Sequence, residues 1–558
     1  MKKYWLLILA LVLGSVLRLY QLGSLPNALT WDEAALGYNA YSIIKTGRDE
    51  FGKFLPIIFK SFGDYKPGLY VYLAIPPIFI FGLTEFATRL PSALAGILAI
   101  YGVFLLTNEL FSMSSSRMRA DGPRRGRSIP IGSFTALSLA LMPWHIHFSR
   151  GAWETNVFAT LLLFALYFLL VFIRSGKFLT YSIILALLTF ITYQAAKLFT
   201  PLVLILPIII YWSEFRDQFK LYFSIKKNKA FIAFALAFFL AFTLSTMTGE
   251  AGNRLKRLSI FGYRPGISQE LRATDNNNPV SLGLFHNQAE LSARLVASRY
   301  LKHLSPTVLF YEGTDVVERG HIPGMGMLLP FDLIWFVLGV IFLLKSTGIK
   351  RSLLLAGLLL LSPLPGSLTL SEYSTVRAFF LTIPLAIFIG LGVYYALTKV
   401  KFLFVFTSIT TVIFFVYFLD LLFVHANFAY AKEYIYGFKE AIQFVNQYPE
   451  NNAVITDVFG QPYVFYLFYS RFDPATYQKI NEFESGGYDV GKVSQVGRVQ
   501  FHQSGLSEVQ NQPGTIFVGT IGNFPETFDF TLPTIDKHVD ILFPNGDISL
   551  RVIKTKDQ

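Results

Sequence analysis

The chain has 558 residues, of which 53% are hydrophobic, 16% aromatic and 15% charged, where a soluble domain carries about a quarter charged residues. That composition excludes an ordinary cytosolic enzyme, and the net charge of +12 is explained by basic loops kept on the inner side of a membrane, with no nucleic acid required. Cysteine is absent, which excludes disulfides and thiolate metal sites in every compartment.

Residues 4–22 follow Met1-Lys2-Lys3 and stay apolar for longer than a signal peptide, without an Ala-x-Ala site. They are expected to form the first spanning helix, N-terminus inside. The first external loop, 24–86, is polar to residue 66. Its next stretch, 67–82, is apolar but short and carries Pro76-Pro77. It either spans or lies in the interface; taken as interfacial, it leaves Arg117, Arg119, Arg124, Arg125 and Arg127 inside. Spans are then expected at 87–111, 131–148, 155–173, 178–196, 198–212, 230–247, 326–344, 352–370, 375–397 and 402–424, about eleven in all. The inside loops between them are basic, as with Arg216, Lys220, Lys226 and Lys227. The long loop 249–325 and everything after 424 fall outside. Residues 425–558 change composition, with strands expected at 454–456, 515–519 and 548–553 and a helix at 432–447. The fold class is a mostly α, polytopic membrane protein over 1–424, with juxtamembrane helices in the first external loop, plus a small extracytoplasmic α/β domain over 425–558. The location is the cell membrane.

Thr30-Trp31-Asp32-Glu33 has the spacing of a capping box, with Thr30 as N-cap and Glu33 three residues on. The helix it opens carries Leu36, Ala40, Ile43 and Ile44 on one face and stops at Gly47. The box needs only Glu33. Asp32 is either one more acid favoured by the helix dipole or a carboxylate turned toward a cavity at the membrane surface. The run Phe62-Gly63-Asp64-Tyr65-Lys66 brings a lysine to the interface, where it snorkels or meets an anionic headgroup. Arg89, Arg150, Arg254, Lys256, Arg257, Arg319 and Arg377 recur on the same outer face. Cations held outside at helix ends run against the positive-inside tendency and ask for an anion such as phosphate. Glu154, four residues after Arg150, is either its intrahelical partner or a further site acid. His145 and His147 face opposite sides of a helix and read as interfacial residues.

This order of residues resembles the polytopic lipid-linked-sugar glycosyltransferases of the GT-C fold, and within them the bacterial relatives of protein O-mannosyltransferases and of the aminoarabinose transferase that modifies lipid A. The resemblance rests on Trp31-Asp32-Glu33, on Asp64-Tyr65-Lys66-Pro67, and on Phe86-Ala87-Thr88-Arg89-Leu90-Pro91. It continues through Phe310-Tyr311-Glu312-Gly313, Arg319-Gly320-His321 and Thr375-Val376-Arg377. It implies a sugar on a polyprenyl phosphate as donor and a hydroxyl of a protein, lipid or glycan as acceptor. It puts Asp32 near the reacting centre and Lys66, Arg89 and Arg377 at the donor phosphate, beside which Glu33 and Glu154 are further candidate acids from the reading of the residues. Tyr65, Arg150, Arg319 and His321 are secondary candidates. Aminoarabinose-type members often have an arginine where this chain has Ala35, and Glu154 stands where an Asp is expected, so the particular donor and acceptor stay open.

The inventory suits that chemistry. A hydroxyl attacking an anomeric carbon needs one base, and a leaving phosphate needs cations rather than a second proton donor. No nucleotide-binding loop or cofactor is required, and assistance by a divalent metal is left open. The competing classes are a structural or assembly protein whose external domain does the binding, and a transporter or lipid flippase, which calls for ionisable or broken segments at mid-membrane and repeated halves. Ser362-Pro363-Leu364-Pro365-Gly366 is the one interruption expected, near the outer end of its span. The discriminating observation is whether the acids and cations converge on one outer cavity that opens toward lipid.

Overall fold

Apolar runs become helices, some of which stop at a glycine, as at Gly47, Gly82 and Gly176, or just before a proline, as at Pro143 and Pro363. The computed structural model describes residues 3–112, 129–247, 260, 284–285, 287–313, 319–346, 348–484 and 491–557; the arginine-rich loop from Arg117 to Arg127 and the cations Arg254, Lys256 and Arg257 lie outside these. The first half contains α1 (Trp5–Leu19), α2 (Trp31–Thr46), the antiparallel hairpin β1 (Ile58–Ser61) and β2 (Asp64–Pro67), α3 (Leu69–Phe81) and α4 (Glu85–Ser112). It continues with α5 (Gly132–Leu141), α6 (Pro143–Ser149), α7 (Glu154–Ser175), α8 (Leu179–Phe190), α9 (Ala196–Ile210), α10 (Trp212–Ser224) and α11 (Lys226–Met247). Then come α12 (Gln288–His303), α13 (Asp332–Ser346), α14 (Ile349–Leu361), α15 (Thr382–Lys399) and α16 (Lys401–Asp420).

The chain is a multi-pass membrane protein. Among the described residues six helical segments are long and apolar enough to cross a bilayer, or seven if α9 and α10, bent by 104°, count as one. The apolar helices α1, α3, α5 and α8 are shorter. Even α1, with 15 residues, rises only about 22 Å against a hydrocarbon core of about 30 Å. Length alone therefore supports fewer full spans than the eleven expected. The interruption at Ser362 forms, since α14 stops at Leu361, but it is not alone. Residues 131–148 break at Met142, because Pro143 has no N–H to continue the ladder and opens α6 instead. Between α13 and α15 the backbones touch at Gly339 and Gly392, where an added Cβ would stand 1.9 Å from the Phe388 oxygen and 1.8 Å from the Trp335 oxygen, respectively. Small residues permit such close crossings in a membrane bundle.

The C-terminal region contains α17 (Phe438–Asn446), β3 (Asn452–Ile455), α18 (Pro462–Tyr469), α19 (Pro474–Ile480), β4 (Phe483–Glu484), β5 (Lys492–Val493), β6 (Gln495–Val496), β7 (Val499–Phe501), β8 (Thr515–Gly519), β9 (Ile535–Leu542) and β10 (Ile548–Thr555). The expected helix at 432–447 forms only over α17, because Gly437 takes a φ of 111° and ends the preceding turns. The main sheet has the order β6-β7-β3-β8-β10-β9, with β3 parallel to both neighbours. This domain is not an appendage. Its apolar side chains share one core with α2, α3 and α4. Trp31 donates its indole N–H to the Gly460 oxygen (2.9 Å), Tyr38 its hydroxyl to the Phe472 oxygen (3.0 Å), and Gln478 its amide to the Asp49 oxygen (2.9 Å). At Gly37 a Cβ would lie 2.6 Å from the Phe468 ring, so only glycine admits that ring against α2.

One acid in this junction sets a pH dependence. Glu50 is fully buried, accepts from the Asn39 amide (3.0 Å), and its Oε2 has no hydrogen-bond partner among the described residues. Burial pushes its carboxyl up to about 8. The folded state thus keeps a proton that the unfolded chain releases near its ordinary carboxylate range, so this group's stabilising contribution is complete at low pH. It is lost as pH rises from about 4.5 to about 8, at up to about 1.4 kcal/mol per pH unit. Glu50→Gln is expected to flatten the fall in thermal midpoint over that window relative to the parent; identical pH slopes for the two proteins would contradict this.

Candidate active site

The site begins at the start of α2. Thr30 is its N-cap: the Thr30 hydroxyl accepts the Glu33 N–H (3.2 Å), and Glu33 Oε2 accepts the Thr30 N–H (3.0 Å). The helix ends at Gly47 with φ 69°. The box turns Glu33 inward, where its Oε1 accepts from Arg89 Nε and from the Ala152 N–H, both at 2.9 Å. This one carboxylate ties α2 to α4 and to the turn between α6 and α7. Asp32, about 100° around the helix, faces out instead, with 59% of its side chain exposed. It forms an ion pair with Lys66, which β2 carries opposite Phe59 of β1.

Asp32 and Lys66 stand on the wall of a cavity of about 950 Å³. Glu33, Glu154, Arg319 and Arg377 line the same space, so six of the ten residues singled out in the sequence converge there. Arg319 lies over the Trp31 ring at 5.0 Å. Arg377 donates to the hydroxyls of Thr369, Ser371 and Ser374 at 3.2 to 3.4 Å, and among the described residues it has no acidic partner. Leu198 and Leu202 of α9 form an apolar side, and Leu198 is 56% exposed.

Three lining residues were not anticipated. Lys197 donates to Gln194 (2.5 Å) and lies over the Phe242 ring, while Gln194 donates to the Tyr65 oxygen (2.8 Å). The polar Gln194-Ala195-Ala196-Lys197 gap between two apolar runs was the available signal. Glu433 enters from the linker after α16, inside a stretch that the sequence suggested was helix.

The remaining candidates are placed elsewhere. Arg89 is 0% exposed. Besides Glu33, it donates to the carbonyls of Leu22, Pro26 and Ala28. Arg150, also buried, donates to the oxygens of Leu17, Tyr20, Gln21 and Leu25 and not to Glu154. Arg150 thus reaches carbonyls in the last turn and C-cap of α1, and both guanidiniums satisfy carbonyls of the loop that follows it, to Ala28. Arg89 is thus not among the residues that line the cavity, and of the two readings of Glu154 the pairing with Arg150 does not form. Tyr65 contributes a backbone oxygen to the loop, and His321, buried beside Gly313, is not among the residues that line the cavity. His145 and His147 are buried rather than interfacial: His145 Nδ1 meets Arg18 (2.9 Å) and His147 Nε2 meets the Arg319 carbonyl (2.7 Å). Arg18 in turn donates to Leu139 and Ala140 at the break before Pro143. Among the described residues no group of three or more His, Asp or Glu side chains is arranged to hold a metal ion.

Long apolar helices surround the cavity, and the fold is the one seen in solved GT-C membrane proteins. The structure of ArnT from Cupriavidus metallidurans bound to undecaprenyl phosphate is similar at a TM-score of 0.52 and 12% identity, covering 99% of this chain and 98% of that one. Apo ArnT from the same organism gives 0.48, 13% identity and 98% and 97% coverage. The oligosaccharyltransferase AglB from Archaeoglobus fulgidus, in complex with an inhibitory peptide and a dolichol-phosphate, gives 0.44 and 13% identity over 84% of this chain and 64% of that one. No protein-family model and no curated protein sequence matches the chain.

Proposed function

We propose that the chain transfers a sugar from a polyprenyl-phosphate donor to an acceptor hydroxyl at the extracytoplasmic face of the membrane. The observation that carries this reading is one cavity lined by the paired Asp32 and Lys66 and by Lys197, Arg319 and Arg377, beside an apolar side formed by α9. A lipid phosphate needs that combination of cations for its head and apolar surface for its chain. The fold it shares with a protein solved with undecaprenyl phosphate bound supports the same donor class.

In this mechanism the donor phosphate draws Lys66 away from Asp32 and frees the carboxylate. Asp32 takes the proton of the acceptor hydroxyl as its oxygen bonds to the anomeric carbon. The bond from that carbon to the phosphate oxygen breaks, and the electron pair leaves on the phosphate, where Lys66 and Arg377 hold the added charge. One displacement inverts the anomeric configuration. Glu33, with both oxygens committed to Thr30, Arg89 and Ala152, holds Asp32 in place.

Losing a charge-assisted contact costs about 1.5–3 kcal/mol, so Lys66→Ala and Arg377→Ala are each expected to weaken donor use by roughly ten-fold or more. Steady-state donor kinetics beside unfolding curves provide the test. Unchanged donor kinetics in both variants, with normal folding, reject the assignment.

A further inference from the structure

Arg377 owes its place to a histidine one layer away from the cavity. His303, the last residue of α12, is fully buried. Its Nδ1 meets the Arg299 carbonyl at 2.7 Å, and its Nε2 meets the Ser374 N–H at 3.1 Å. A carbonyl on one side and a backbone N–H on the other admit one neutral tautomer, with the proton on Nδ1 and a lone pair on Nε2. The ring stacks on Tyr373 at a 4.5 Å centroid distance, and at Gly366 a Cβ would stand 2.5 Å from Nε2, so the imidazole has no room to turn.

The loop that His303 grips supplies Arg377. Ser374 gives its N–H to His303, accepts the Arg377 N–H on its hydroxyl (3.3 Å) and lies 3.4 Å from Arg377 Nη1. Two more α12 side chains hold the same loop: Arg299 donates to the Thr369 oxygen (2.5 Å) and Lys302 pairs with Glu372 (3.0 Å). We infer that His303 is a positioning residue: as a neutral acceptor it fixes Ser374 and so aims Arg377 into the cavity, and its protonation sets N–H against N–H and releases the loop. The consequence for ligand binding rests on the reading of Arg377 as a phosphate ligand.

The charged and titratable groups facing the ring are Arg299 and Lys302 of its own helix and Glu372, Tyr373 and Arg377 of the loop. Burial first, then Lys302 and Arg377, keep the imidazole below its usual range. The ring is therefore neutral at neutral pH, and the release belongs to the acid side.

Hydrogen–deuterium exchange of the full chain in nanodiscs, expressed as protection factors, reads the loop without any ligand. Protection of residues 369–378 is expected to fall by about ten-fold or more between about pH 7.5 and pH 5. His303→Gln, whose amide oxygen accepts without titrating, is expected to stay protected. Undecaprenyl phosphate itself takes up a proton at about pH 6, so its binding should weaken over the same window in both proteins, and more steeply in the parent than in His303→Gln. Loop protection in the parent that does not change with pH overturns the inference and needs no variant to show it. If protection responds while the parent fails to bind undecaprenyl phosphate at any pH, the grip of His303 on the loop stands and the phosphate reading falls.

Discussion

Asp32→Asn is expected to lower turnover on the order of 10²-fold or more, the scale of a lost general base, with little change in thermal unfolding. The stability side follows from geometry. The side chain is the second residue of α2, outside the capping box and 59% exposed, so losing its dipole interaction and its pair with Lys66 costs about 1 kcal/mol or less. Asparagine keeps the shape and loses the proton acceptor. Glu33→Gln behaves in the opposite way. Both Glu33 oxygens accept hydrogen bonds, and an amide must turn its NH₂ toward one set of donors, so this variant loses stability first. Near-normal turnover in Asp32→Asn removes the base from this residue and makes Glu154, on the same cavity wall, the next candidate. A folding defect without a chemical one would assign Asp32 to the helix alone.

Arg89→Ala is expected to produce the largest stability loss of any single change near the site, about 3–5 kcal/mol, as befits a buried pair broken on one side. It leaves Glu33 buried without its cation and strips donors from the carbonyls of Leu22, Pro26 and Ala28. Denaturation in detergent measures this. A phosphate ligand would instead show weaker donor binding at unchanged stability, and that outcome would restore Arg89 to the cavity.

What could be read beforehand was local. The capping box, the stop at Gly47 and the strand Thr515–Gly519 form as their residues dictate, because each depends on neighbours within a few positions. Asp32, Lys66 and Arg377 could be singled out through a resemblance that preserved their order, and the structure puts all three on the wall of one cavity. The roles of Arg89 and Arg150 were not, since an outer arginine is the same letter whether it meets a ligand or a helix-end carbonyl. Only the path of the chain from Leu17 to Ala28, folded back over both guanidiniums, decides between them. The packing of the C-terminal domain on α2 was equally hidden. Phe468 and Gln478 reach α2 across more than 400 residues of chain, and no local periodicity encodes such a contact.

The central claim is chemical, and the most direct measurement incubates the purified full chain in nanodiscs with a panel of polyprenyl-phosphate sugars and membrane-extracted acceptor while following release of polyprenyl phosphate. The account predicts release from at least one member of the panel, abolished or strongly reduced in Asp32→Asn, with the transferred sugar of inverted anomeric configuration. Release that is equal in Asp32→Asn, or intact donor recovered throughout from a folded protein that binds none of the panel, would contradict it.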